Sequence, residues 1–135
     1  MSATYYAQNE ILNTYFGKVG NTIPSVWYLG FSSDTPVEST GACTELSGGG
    51  YARVGIPNAS ASFVAASNGV VHSKERLSFP TALASWGTAS NILVYDALTG
   101  GNLWFYSALP TPLPIPIDSE VTYLAELLNI TLNNP

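Results

Sequence analysis

An antiparallel β-sandwich or flattened barrel of roughly seven to nine short strands, preceded by one α-helix, is the architecture this sequence predicts. Three observations carry it. Short runs rich in Val, Ile, Trp, Tyr and Phe recur along the chain, separated by Gly, Pro, Asn and Ser. One stretch near the start has apolar residues at helical spacing. Two apolar runs flank Gly100-Gly101, the form of a β-hairpin. The 135 residues fit one domain, residues 1–135, large enough to bury a core without disulfide staples.

The first element is a helix over about residues 5–17. Ile11, Leu12, Tyr15 and Phe16 lie at helical spacing; Gly17 and Gly20 stop it, with Lys18 favourable at the negative end of the helix dipole. Its apolar stripe is expected to pack on the domain, and docking into another subunit is the alternative. Ser25 to Ser32 reads as a strand with Trp27, Leu29 and Phe31 on one side. Residues 33–47 carry Asp34, Pro36, Glu38 and Gly41, a loop composition, and a loop this long is a candidate functional surface.

The chain is organised around Thr44-Glu45-Leu46-Ser47-Gly48-Gly49-Gly50-Tyr51-Ala52-Arg53. Consecutive glycines lose the most backbone entropy on folding, so Gly48, Gly49 and Gly50 predict a sharp turn with positive φ or close backbone approach. The turn feeds a strand from Tyr51 to Ile56, which Pro57 ends. A phosphate cradle would need a preceding strand, a following helix and a lysine, and these are missing. Tyr51 and Arg53 are candidate conformational or interface anchors, because a guanidinium can bond several carbonyls or a carboxylate across a seam.

Ser60 to Asn68 supports at most a short strand before the tight turn Asn68-Gly69. Val70 to His72 and Arg76 to Phe79 are strand pieces, and Thr81 to Trp86 fits one helical turn released by Gly87. The hairpin pairs Ala89–Asp96 with Asn102–Leu109. At its tip, Asp96 is expected to bond the turn backbone, and Asp96, Gly100 and Gly101 form an exposed contact candidate. Pro110, Pro112, Pro114 and Pro116 alternate with Thr111, Leu113, Ile115 and Ile117. That is an extended edge or crossing segment whose leucine and isoleucines look like core anchors. Val121–Ala125 and Leu128–Leu132 are the last strands by alternation.

Only 10% of residues are charged, against about 25% in an ordinary soluble domain, while 46% are hydrophobic. Uncharged aromatic surface must therefore face outward or face a partner. Trp27, Trp86 and Trp104 are candidate core or interface aromatics. A net charge of -5 with Lys18, Arg53, Lys74 and Arg76 as the cations leaves no basic stripe for nucleic acid. No apolar run reaches membrane-spanning length, and Met1-Ser2-Ala3-Thr4 lacks the marks of a secretory signal, so use without membrane passage is expected. The one histidine, His72, and the one cysteine, Cys43, lie far apart in sequence. With scattered carboxylates and no zinc spacing, no catalytic residue, metal or cofactor is expected.

Several of these residues, in order, resemble a family of small bacteriophage virion proteins described as tail-fibre-like or head-decoration proteins. The likeness runs from Asn9, Leu12 and Asn13 through Phe31 and Pro36 to the string Thr44–Arg53. It continues with Phe79-Pro80, Trp86-Gly87, Asp96 and Gly100-Gly101-Asn102-Leu103, spanning about residues 5 to 132. The proline ladder and Val26-Trp27-Tyr28 depart from the family's pattern. The resemblance implies a non-enzymatic virion component, made in the host cytoplasm. It would form a homo-oligomer, such as a trimer, bound to major capsid or tail proteins. Capsid decoration or cement is the first expectation. A tail-fibre or receptor-contacting module is the second, and a carbohydrate-binding module the third.

Overall fold

In the computed structural model, which describes residues 1–17, 23–123 and 128–131, the chain is mainly antiparallel β. The elements are β1 (Ser2–Ala3), α1 (Tyr5–Tyr15), β2 (Val26–Ser32), β3 (Val54–Pro57), β4 (Val70–His72), β5 (Leu77–Ser78), β6 (Gly87–Tyr95), β7 (Leu103–Ile115), β8 (Thr122–Tyr123) and β9 (Asn129–Thr131). A five-stranded sheet has the order β1-β7-β6-β2-β3. Two ribbons, β4–β9 and β5–β8, form a second layer, consistent with the predicted sandwich.

The β6–β7 hairpin is the frame. Its strands pair from Tyr95↔Leu103 to Gly87↔Ile115, and β2 pairs with β6 through Leu29↔Val94 and Phe31↔Ile92. Leu29, Phe31, Ile92 and Val94 thus share one face, buried with Phe79, Trp86, Ile115 and Leu128. Phe31 and Phe79 stack across the layers, ring centroids 4.7 Å apart. Each such fully buried side chain is worth about 1.5–3 kcal/mol. Leu93 and Tyr95 point to the opposite face and bury with Leu103 under Tyr28, Cys43 and Tyr106. Burial on both faces explains the unbroken run Ile92-Leu93-Val94-Tyr95.

Thr4 caps α1: its Oγ1 accepts from Ala7 N–H and donates to Leu103 O at 2.6 Å, tying the helix start to β7. Gly17, at φ +87°, follows the helix end as the stop signal requires. Lys18 and Gly20 lie outside the described residues, as do Leu124, Ala125 and Leu132 of the two last predicted strands. Asn68 and Gly69, at φ +53° and +76°, make the expected tight turn, closed by reciprocal bonds between Ser67 and Val70.

Four expectations change. Most of the helix stripe does not pack inward: α1 buries Ala7 and packs Ile11 partly on the core, while Leu12, Tyr15 and Phe16 are exposed. The strand after the glycines starts at Val54 rather than Tyr51 and includes Pro57, which is tolerated because β3 is a sheet edge. Thr81–Trp86 is a bend, not a helical turn. Its amides donate to distant carbonyls, Ala82 to Ser119, Leu83 to Gly49 and Trp86 to Ile115, leaving no ladder of local bonds. Ser60–Asn68, expected to give at most a short strand, stays within that bound with the isolated bridges Phe63↔Ser73 and Ser67↔Val70. In the proline ladder only Ile115 is a core anchor. Leu113 and Ile117 are exposed, and the register of β7 against β6 shifts between Ala108 and Leu113.

Candidate interaction surface

Two arrangements stand out, an arginine clasp on the second face of the sheet and an apolar face on α1. The clasp begins with the Gly48–Gly50 turn, where Tyr51 N–H donates back to Gly48 O at 3.2 Å. Gly48, at φ +145°, has room for no Cβ: one would sit 2.9 Å from Ser85 O and from the Trp86 ring. Trp86 Nε1 donates to Gly49 O at 2.9 Å, and its ring meets Tyr51 edge-on at 5.1 Å.

Released by this turn, Tyr51 and Arg53 project over β2 at Gly30. Arg53 grips Glu45 with both edges of its fork, Nε to Oε2 and Nη2 to Oε1, each at 2.8 Å. Nη1 donates to Ala97 O at 2.7 Å and to Gly100 O at 2.8 Å, and the guanidinium lies 3.5 Å from the Tyr95 ring centroid. Tyr51 Oη donates to Glu45 Oε2 at 2.8 Å and accepts from Phe31 N–H at 3.1 Å. Arg53 is 8% exposed, and Arg53–Glu45 is the one salt bridge among the described residues. Burial pushes the Tyr51 and Tyr95 hydroxyls well above the ordinary tyrosine range, with the Glu45 charge adding to it, so both stay protonated.

The hairpin tip completes the clasp. Asp96 accepts from Asn102 N–H at 2.8 Å, from Asn102 Nδ2 at 3.0 Å and from Trp104 Nε1 at 3.1 Å. Partial burial alone would raise the Asp96 carboxyl, but these bonds outweigh it and hold the group below its usual range. The glycine turn, Tyr51, Arg53 and Gly100 therefore belong to one bonded network within a single chain, and Asp96 with Gly101 braces the hairpin tip that Arg53 reaches. Its guanidinium bonds span a seam between segments of that chain. Glu45, read from sequence only as one scattered carboxylate, is the hub. Gly30 is the signal that could have found it, since a glycine inside an apolar strand marks close approach of another group. A Cβ there would lie 2.8 Å from both Glu45 Oε2 and Tyr51 Oη.

His72 and Cys43 do not share a partner. His72 Nδ1 pairs with Asn129 Oδ1, and Cys43 Sγ lies 3.5 Å from Tyr95 Oη with its thiol pushed up by burial. Loop 33–47 is largely exposed. Asp34 accepts from Thr44 N–H and Oγ1, bonds that hold its carboxyl below the usual range.

Next to the hairpin tip, Trp104 and Phe105 are buried beneath α1. Trp27 is half-buried and meets Trp104 edge-on at 5.0 Å. Tyr15, Trp27 and Phe105 line an open groove of about 710 Å³ that continues past Phe63 to Ile130. Above it, α1 exposes Tyr5, Leu12, Tyr15 and Phe16.

A small antiparallel β body, internally clasped and carrying an outward apolar helix, defines a structural module with a surface suited to protein contact. A protein-family model described as "Podophage GP4 fiber I protein gp80" matches residues 2–131, and the chain belongs to that family. It is thus a virion-associated phage structural protein of the fibre type, in agreement with the phage resemblance. No curated protein matches the sequence.

Proposed function

We propose that this chain is a non-enzymatic subunit of an external fibre of the podophage particle, made in the host cytoplasm and assembled with copies of itself and with other virion proteins. The family match over residues 2–131 carries the reading. Of the exterior roles set out from sequence, capsid decoration and a tail or receptor-contacting fibre, the family's description favours a fibre. The side chains fit that role. Arg53 and Glu45 are spent on each other and on the hairpin, and His72 and Cys43 are engaged separately, so the polar groups serve the fold. A sugar platform draws little support from the tryptophans, because Trp86 and Trp104 are buried with their N–H groups bonded internally.

Electron microscopy of particles with and without the gene tests this. Gold-labelled antibody is expected on fibres outside the wild-type particle, with those fibres missing from the mutant. Absence from purified virions, or label confined to the capsid interior, would overturn the proposal, and label at vertices or tail separates head from tail attachment.

A further inference from the structure

The polarity of α1 is reversed relative to an ordinary surface helix. At about 100° per residue, Tyr5, Leu12 and Phe16 fall within roughly 40° of one another, and Ala7, the residue the helix buries, lies roughly 160° away. The outward stripe holds Tyr5, Gln8, Asn9, Leu12, Tyr15 and Phe16, none of them charged; the one charge on the helix, Glu10, lies to the other side. Tyr5 to Leu12 and Gln8 to Tyr15 are each one heptad apart, so the stripe has the alternating three-and-four spacing of a helix-pairing seam.

The exposures are too large for stray surface residues: Tyr5 51%, Leu12 55%, Tyr15 76% and Phe16 79%. Together they leave on the order of 500–600 Å² of largely apolar surface. That reaches the upper end of the largest patch on a typical monomer, and approaches the ~800 Å² per partner of a stable interface. Ile23, 62% exposed beside Tyr15 in the adjoining cleft, extends it.

We propose that α1 is a self-association helix, its outward stripe packing against the same stripe of a second copy of this chain. The chemistry selects a copy over a different partner. A seam of Tyr, Leu and Phe with the Asn9 amide among them, the Gln8 amide being held by Ala3 O and Glu38 Oε1 at its border, is complementary to itself, as a symmetric interface demands. Its own side chains carry no charge, and the one carboxylate touching it, Glu38, accepts from Gln8, so little there selects a basic partner. This deepens the fibre reading by naming one partner, yet it can fail separately, because it is tested on purified protein and the fibre reading on particles.

The test is light scattering and sedimentation velocity on the full chain across micromolar concentrations. The wild type is expected at the mass of two or more chains. Leu12→Lys with Phe16→Lys should weaken association at least tenfold while keeping the wild-type circular dichroism, because both side chains are exposed. Leu83→Lys, equally exposed but at the glycine turn, should leave the mass unchanged. In a Cys43→Ser background, Asn9→Cys should form an intermolecular disulfide under mild oxidation, a readout independent of any effect on stability. A monomeric wild type, a double variant of unchanged mass, equal dissociation by Leu83→Lys, or no cross-link through Asn9→Cys would overturn the proposal.

Discussion

Arg53 carries more of this structure than any other polar side chain, because one guanidinium joins three segments distant in sequence. Truncating it strands the partly buried Glu45 carboxylate and two hairpin carbonyls, so Arg53→Ala should cost about 3–5 kcal/mol in urea unfolding. Arg53→Lys should recover little of it, since an ammonium cannot grip both carboxylate oxygens, reach both carbonyls and lie flat on Tyr95. A loss under about 1 kcal/mol for Arg53→Ala would mean the clasp is ornamental to folding. Asp96 gives the pH counterpart. Its folded pKa lies below the unfolded value, so its stabilisation is present above the unfolded pKa of about 3.9 and is lost as pH falls through the folded value. Stability measured from pH 7 downward should therefore fall less steeply in the acid range for Asp96→Asn than for the wild type. Equal slopes would remove Asp96 from the account.

Among the elements, the β6–β7 hairpin was the most legible in the sequence because its determinants are local: alternation on either side and glycines where φ must be positive. The tip also separates two kinds of glycine. Gly100, at φ +60°, has nothing near its would-be Cβ, so Gly100→Ala should cost about 1–2 kcal/mol for the left-handed backbone alone. Gly101, at φ +70°, would place a Cβ 2.6 Å from both Ala97 Cβ and Asp96 Oδ1, so Gly101→Ala should cost distinctly more and disturb the Asp96 cap. Equal losses in parallel denaturation curves would contradict the contact geometry. What the sequence hid was non-local. The Thr81–Trp86 stretch has the composition of a helical turn, yet its amides are claimed by carbonyls of residues 49, 115 and 119. The spacing in α1 tells which side chains share a face, not which way that face points, and the body beneath it needed only Ala7 and part of Ile11.

At the scale of the whole molecule, the scarcity of charge sets the salt and temperature response that the proposed α1 contact between copies predicts. Each copy carries a net −5, so bringing copies together works against a weak mutual repulsion that salt screens. The outward face of α1 contributes no ion pairs that salt could loosen, and burial of its rings is driven by exclusion from water, which weakens on cooling. Both signs follow. Raising ionic strength from about 0.01 M to 1 M, which shortens the screening length from about 30 Å to 3 Å, should leave self-association unchanged or tighten it. Chilling at fixed salt should loosen it. An interface held by ion pairs predicts the opposite salt response, because its attraction is screened along with the repulsion. Sedimentation equilibrium at two temperatures across that salt range separates the cases: a Kd that rises with salt would assign the contact to ion pairs of surface carboxylates with Lys74 or Arg76 in place of Leu12, Tyr15 and Phe16.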